Sequence, residues 1–592
     1  MQTARPLPEL LSELWRHIGS RRRRQFGFLS ILMILTSFTE ILGIGSILPF
    51  LAILTSPDRV FEHHAAQSTI QFLGITSAEQ LLLPITIAFG LIALLAGVMR
   101  LLLLWASTRL SFAIGMDLSV NIYRRTLYQP YTVHVARNSS EVINGISGKT
   151  NTVINSVIVP TLTLISAGIM LVAILIALII IDPVIALVAF GGFGAIYTLI
   201  IRLARKQLMV DSQCIASEST NVIKSLQEGL GGIRDVLIDG SQAAYCRIYN
   251  NADIHLRQAQ GRSYFISASP RYAMEVLGMV LIAVLAYALA QQPSGINTAI
   301  PVLGALAFSA QRLLPILQQA YGSWSGLRGG QASLQDVLEL LDQPLPEYAD
   351  QPAAKPLPFQ QQIDLKQLSF RYSPQTPWVL RGINLTIDKG GRIGIIGETG
   401  SGKSTLLDIV MGLLPPTEGT IEIDRQAVIP SNGRAWQAHI AHVPQAIFLT
   451  DSTIEENIAF GIPQNQIDHE RVRNAAKQAQ IADLIESWPK QYQTPVGERG
   501  VRLSGGQRQR IGIARALYKQ ADVIIFDEAT SALDNETELA VMQAIEGLAD
   551  DLTIIIIAHR LTTLKNCTYL VELSGGEIKR TGSYQEIVNQ AA

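Results

Sequence analysis

Charge is what this chain has least of. Only 16% of its 592 residues are Asp, Glu, Lys or Arg, against 48% hydrophobic. Mean hydropathy is +0.26, the profile of a protein partly dissolved in lipid. Neither sign is in surplus, with 47 basic and 48 acidic residues, so no nucleic-acid partner is expected. Cysteine is also scarce. Cys214, Cys246 and Cys567 are odd in number and far apart, which excludes a zinc or disulfide framework and leaves reduced thiols. His63-His64 is the only histidine pair that invites a metal reading, and adjacent side chains do not face one ion. The length requires two or more cores.

What the chain has instead is long apolar runs. Six spans are expected over about residues 26–54, 81–107, 153–181, 184–204, 268–290 and 298–322, each able to cross a hydrocarbon core of ~30 Å. Ser20-Arg-Arg superficially matches a twin-arginine signal, but the apolar run that follows is too long and more spans come after it. Arg21-Arg22-Arg23-Arg24 instead holds the start of the first span in the cytoplasm. The outer connections hold one basic residue, Arg59, while the inner ones carry many, so both termini are expected inside, in the inner (plasma) membrane. The inner connections keep helical patterning, with turning points near Tyr128–Arg137 and Arg234–Tyr245. Leu7, Leu10, Leu11, Leu14, Trp15 and Ile18 predict an amphipathic helix in the membrane interface. Phe61, His64, Ala65, Ser68 and Phe72 predict another on the outer surface. The membrane domain is read as 1–342, a proline-rich linker as 343–362, and 363–592 as an α/β domain of short β-branched runs alternating with helices.

In that last domain, the apolar run Ile393 to Ile396 reads as a buried strand. It passes through a glycine-rich turn into a helix, Lys403 to Leu414. Gly397, Glu398, Thr399, Gly400, Ser401, Gly402, Lys403 and Ser404 match G-x-x-x-x-G-K-[ST], and Thr405 continues the helix. Glycines let successive N–H groups point at phosphate oxygens, and the helix N-terminus adds partial positive charge. Lys403 supplies full charge to the β/γ-phosphates, and the Ser404 hydroxyl can ligate Mg²⁺. The bland alternative is a glycine turn that binds nothing.

Six further features argue against that alternative. Phe370-Arg-Tyr372 offers an aromatic ring for a base, and His442-Val-Pro-Gln445 places an amide after a strand. Leu503-Ser504-Gly505-Gly506-Gln507 opens a helix with exposed N–H groups. Val523 to Phe526 is a buried strand ending in Asp527-Glu528, followed by Ser531-Ala-Leu-Asp534. Ile554 to Ala558 ends in His559. Together these residues resemble the nucleotide domain of an ATP-binding-cassette protein. The resemblance implies ATP and Mg²⁺ as cofactors, with Ser404, Asp527 and Gln445 at the metal. It further implies Glu528 polarising water, His559 at the γ-phosphate, Gln445 sensing metal and water, and Asp534 crossing a dimer interface.

Six spans fused before one cassette resemble the ABC exporter architecture: an all-α six-helix membrane domain followed by an α/β P-loop ATPase. Thr494 to Gly500 resembles the segment that touches the membrane helices, although Pro495 stands where an acidic residue is common. In that family the signature of one cassette completes the site of another, so a chain with one copy of each implies a homodimer. Glu40-Ile-Leu-Gly-Ile-Gly-Ser-Ile-Leu-Pro-Phe50 is similar to the lipid-linked oligosaccharide flippase branch, which implies a lipid-linked, glycosylated substrate. The alternatives are a drug or general lipid exporter, a peptide exporter (disfavoured because no protease domain precedes the first span), and an ATP-gated channel or regulator. Three intramembrane arginines are substrate candidates. Arg100 and Arg271 sit about 28 Å from the outer end of their spans, near the inner interface, where a structural role suffices. Arg312 lies roughly 21 Å deep and either holds an anionic headgroup or pairs with Glu40 or Glu275.

Overall fold

The computed structural model describes residues 5–55, 57–61, 76–181, 183–290, 296–352, 354–528, 533–546, 551–558 and 564–589. The chain divides into two compact units, Met1–Gln129 with Arg137–Leu345, and Pro130–Ala136 with Pro346–Ala592.

The first unit is all helix. A short α1 (Leu7–His17) precedes six long helices: α2 (Ser20–Thr55), α3 (Leu82–Leu127), α4 (Val159–Ile181), α5 (Pro183–Gly231), α6 (Gln242–Ala290) and α7 (Ile296–Gly329). A final α8 (Gln331–Leu341) closes the unit. Among the described residues, Ser20–Leu54, Leu82–Leu127 and Ser139–Ile176 are long and apolar enough to cross a membrane. The two long connections expected on the inner side are helical rods, and they reverse at Tyr131–Ala136 and Ile233–Ile238. Asp182, most of the outer stretch with Phe72 and the histidine pair, and residues 291–295 lie outside the described residues.

α2 and α3 run antiparallel, and two ion pairs pin their register. Arg22 Nε donates to Asp117 at 2.8 Å, and Glu40 pairs with Arg100. These pairs are eighteen residues apart on α2 and seventeen on α3, so they mark one continuous seam of ~27 Å. Before α4 the chain is wound differently. Two π-helical turns, Gly145–Lys149 and Ile154–Ile158, interrupt the α-helical path from Ser139. Lys149, at the end of the first, is buried and reaches Asp336 of α8 at 2.5 Å.

The interfacial reading of α1 is corrected. Leu7, Leu10 and Leu14 are buried in a protein core with Leu110, Ile114 and Leu118 of α3 and Leu334 and Leu338 of α8. Polar staples fix the same docking, with Gln331 Nε2 donating to the Arg5 carbonyl at 2.7 Å and His17 Nε2 2.9 Å from Asp342. An amphipathic pattern states that one face is covered, not whether lipid or protein covers it. Leu10 is fully buried, so Leu10→Ala should cost about 2–5 kcal/mol and lower the unfolding midpoint in detergent. An unchanged midpoint would return the helix to the lipid surface.

The second unit holds two sheets. The antiparallel one runs β2 (Leu380–Asp388), β1 (Gln362–Phe370), β4 (Glu418–Ile423), β5 (Gln426–Ala427). The other runs β10 (Glu577–Gly582), β9 (Tyr569–Ser574), β3 (Arg392–Gly397), β8 (Thr553–Ile557), β7 (Val523–Asp527), β6 (Ile440–Val443), and is parallel from β9 to β6. Its inner strands are buried on both faces, which is why they read as unbroken Ile/Val runs. Both sheets share a core with α9 (Lys403–Val410), which stops short of the expected Leu414 because Gly412 turns with φ +65°. The end of the linker is itself packed. Phe359 is buried edge-on against Trp436, and Leu357 N–H bonds the Ala435 carbonyl.

Candidate functional site

Parallel strands bring their carboxyl ends to one edge of the sheet, and loops gather there. β3 ends in the glycine loop, β7 in Asp527-Glu528, and β6 two residues before Gln445. Strand order β3-β8-β7-β6 puts these ends side by side.

The loop requires glycine at two points. A Cβ on Gly397 would lie 2.3 Å from the Leu573 carbonyl oxygen. Gly402 has φ +98°, and its Cβ would lie 2.7 Å from the Leu380 side chain. So shaped, the loop curls over the Lys403 ammonium, which donates to the carbonyls of Gly397 (2.8 Å) and Glu398 (2.9 Å). Lys403 is 9% exposed. A positive charge held inside a ring of backbone at a helix N-terminus is a receptor for phosphate.

Opposite it stands a carboxylate cluster. Burial pushes the Asp527 carboxyl above its ordinary value and the charge of Glu528 adds to this, while Lys403 and a hydrogen bond with Ser404 pull it down. Asp408, on α9, is pushed up to about 6 by burial and then by Asp527. Glu528 takes the left-handed conformation, φ +52°, uncommon for a residue with a side chain. Its Oε2 accepts from Gln445 Nε2 at 2.6 Å. Backbone strain of this kind is kept where the surroundings impose it, and here it aims the carboxylate at the amide.

Tyr372 presents a half-exposed ring, edge-on to Phe370 at 5.0 Å, with its hydroxyl 3.3 Å from Thr405 Oγ1. Tyr131, from the short helix Tyr131–Ala136, joins this neighbourhood. Its phenol is pushed up by burial and then by Asp408 and Tyr372. Sequence reasoning found the turn at Tyr131 but had no signal for what the turn would meet.

Ser504 and Gln507 form a reciprocal capping box at the start of α10 (Gly505–Lys519). Gln507 N–H donates to Ser504 Oγ at 3.2 Å, and Ser504 N–H to Gln507 Oε1 at 2.9 Å. Gly505 and Gly506 form the first turn, whose N–H groups have no intrahelical acceptor. Asp534 caps α11 (Asn535–Glu546), accepting from Thr537 N–H (2.9 Å) and Oγ1 (2.8 Å). His559 and Ser531 lie outside the described residues, as does the Arg312 side chain.

In the membrane unit, the two carboxylates considered for Arg312 are engaged by other arginines. Glu40 pairs with Arg100, and Glu275 with Arg271 at 2.9 Å, one helical turn away. Arg100 also lines a cavity of about 490 Å³ between α2, α3, α4 and α7. Thr36, Ser107, Thr163, Ser166 and Gln319 give it polar walls, and Met33, Leu103, Leu162 and Met170 apolar ones. The spans alone gave no signal for this cavity.

Residues 380–531 match the family model "ABC transporter", and residues 26–308 match "ABC transporter transmembrane region". The chain is 30% identical over 401 residues to an ATP-dependent lipid A-core flippase of Alkalilimnicola ehrlichii, covering 67% of each chain. It is 29% identical over 506 residues to that of Ralstonia nicotianae, covering 84% of each. In fold it resembles a bacterial Atm1-family ABC exporter with ATP bound, at TM-score 0.79 and 23% identity over 96% of this chain and 97% of the other. A helical membrane domain joined to a phosphate-binding cassette, matched along both parts, makes this chain a member of the ABC transporter family, an integral membrane protein with its own ATPase domain.

Proposed function

We propose that this transporter flips an anionic, lipid-linked and glycosylated substrate from the inner leaflet of the inner membrane, working as a homodimer with both termini in the cytoplasm. The observation that carries the substrate class is the cavity. It combines one guanidinium, a set of hydroxyl and amide groups, and apolar walls, which complement the anionic, sugar and acyl parts of an acidic glycolipid. The name of the two relatives, lipid A-core flippase, supports the same class.

The cassette supplies the drive. Lys403 and the loop N–H groups hold the phosphates, and Tyr372 offers its ring to the base. Glu528, oriented by Gln445, polarises the attacking water, with His559 at the γ-phosphate. Mg²⁺ fits the donors present, since Ser404, Asp527 and Gln445 all offer hard oxygens. When bound, it would neutralise charge developing on the transferred phosphoryl group. Arg312 remains a candidate second contact for the headgroup.

The test is ATP-dependent movement of a labelled polyprenyl-diphosphate glycan across proteoliposomes, with hydrolysis measured in parallel. Transport should occur, vanish in Lys403→Ala, and fall about tenfold in Arg100→Ala, since a hydrogen bond to a charged group contributes about 1.5–3 kcal/mol. ATP-dependent ion conductance without lipid movement would make the protein a channel instead.

A further inference from the structure

We propose that Glu40 determines headgroup specificity: its carboxylate is the resident counter-ion of Arg100, and a ligand must bear a phosphate charge to compete for that arginine. This rests on reading the cavity as the substrate site.

The two partners are placed unequally. Glu40 is 2% exposed within α2, whereas the Arg100 side chain is 41% exposed and lines the cavity. A carboxylate buried at membrane depth is held by its cation, while a long guanidinium side chain can serve two acceptors. Glu40 engages one terminal nitrogen of Arg100. Arg100 Nε is buried and, among the described residues, has no hydrogen-bond partner. With Nε inaccessible, a second anion would meet the terminal nitrogens on the exposed part of the side chain.

Which anion can use it follows from the pairing. With Glu40 in place the site is neutral overall, so a hydroxyl or zwitterionic headgroup gains little by approaching. A phosphate oxygen gains a charge-assisted contact, but does so against the field of Glu40. The carboxylate thus sets a threshold: it weakens every anion and leaves only the strongest acceptors bound. Ser166 and Gln319 can then donate to ester and sugar oxygens, while Thr36, Ser107 and Thr163, whose hydroxyls donate to the carbonyls of Leu32, Leu104 and Val159, can accept from sugar hydroxyls. The same carboxylate prevents Arg100 from standing as an unpaired cation in the membrane layer when no ligand is there.

The experiment uses the full-length protein in phosphatidylcholine nanodiscs with graded phosphatidic acid as a phosphomonoester probe. It reads the mole fraction giving half-maximal stimulation of ATP hydrolysis. Glu40→Gln should reach half-stimulation at about one tenth of the wild-type mole fraction, because a like charge has been removed beside the bound phosphate. An unchanged half-stimulation point would make Glu40 a purely structural partner and overturn the proposal. The exchange variant Glu40→Arg/Arg100→Glu covers the case in which Glu40→Gln does not fold. It keeps an ion pair on the α2–α3 seam but turns the carboxylate to the cavity. Phosphatidic-acid stimulation should disappear while the unfolding midpoint stays near wild type; retained stimulation would overturn the proposal. Stimulation of wild type by neutral amphiphiles, with no response to phosphatidic acid in either protein, refutes the role of Glu40 and leaves the transporter reading standing. If no amphiphile stimulates wild type at all, the reading of the cavity as the substrate site falls, and the role of Glu40 with it.

Discussion

Glu528→Gln should bind ATP as tightly as wild type and turn it over about 10²–10⁴-fold more slowly. The glutamine keeps the size of the side chain and leaves the left-handed backbone at this position unaltered. It removes the charge proposed to polarise water, and it replaces the oxygen that accepts from Gln445 at 2.6 Å with an uncharged one. Binding is governed elsewhere, by the glycine loop and Lys403, so the nucleotide-binding isotherm should not move. Steady-state hydrolysis within twofold of wild type would remove Glu528 from its assigned role. Equal loss of binding and turnover would make it a structural residue of the loop.

A mixture of two inactive proteins should recover activity. Lys403→Ala removes the phosphate cation, and Ser504→Arg places a bulky charge at the start of α10. The signature residues carry their own helix cap, because Ser504 and Gln507 satisfy each other within one chain. They are thus presented as a finished helix N-terminus without help from any other segment. If two chains share each site, a heterodimer of the variants holds one intact site and one doubly damaged site. Single-turnover hydrolysis should then reappear in a purified heterodimer and be absent from both homodimers. No recovery would mean that each chain completes its own site.

The cassette was legible in the sequence for a physical reason. Phosphate chemistry concentrates its demands in short contiguous stretches, and a strand buried on both faces announces itself as an unbroken apolar run. Gly397 to Ser404, Asp527-Glu528 and Gln445 each sit at such a strand end, so reading the strands was enough to group the candidate residues. The six long helices were legible because lipid imposes their length. What escaped was pairing at a distance. Nothing near Leu10 says that Leu334 and Leu338 will cover it, more than 300 residues away. Arg100 read as an interface residue because depth was the only available measure. Its partner, Glu40, lies on another helix and becomes apparent only once the antiparallel register is known. The Tyr131 turn was found, but its neighbours Asp408 and Tyr372 belong to a distant part of the chain.

The two π-helical turns ahead of α4 have a consequence for how this rod tolerates change in length. Each widened turn accommodates one residue more than an α-helix would, and one residue corresponds to ~100° of rotation about the axis. Gly145–Lys149 and Ile154–Ile158 therefore each absorb an extra residue within a single turn. Trimming one residue from either would let the segment relax to a regular helix with no lost backbone bonds and with its flanks still in phase, so that Val153 and Val157 keep their core. The same deletion from a regular α-helical turn of the rod would swing everything beyond it by ~100° and carry those side chains out of that core. Length changes here are constrained by angle rather than by length, and single-residue deletions that survive should fall inside the two wide turns.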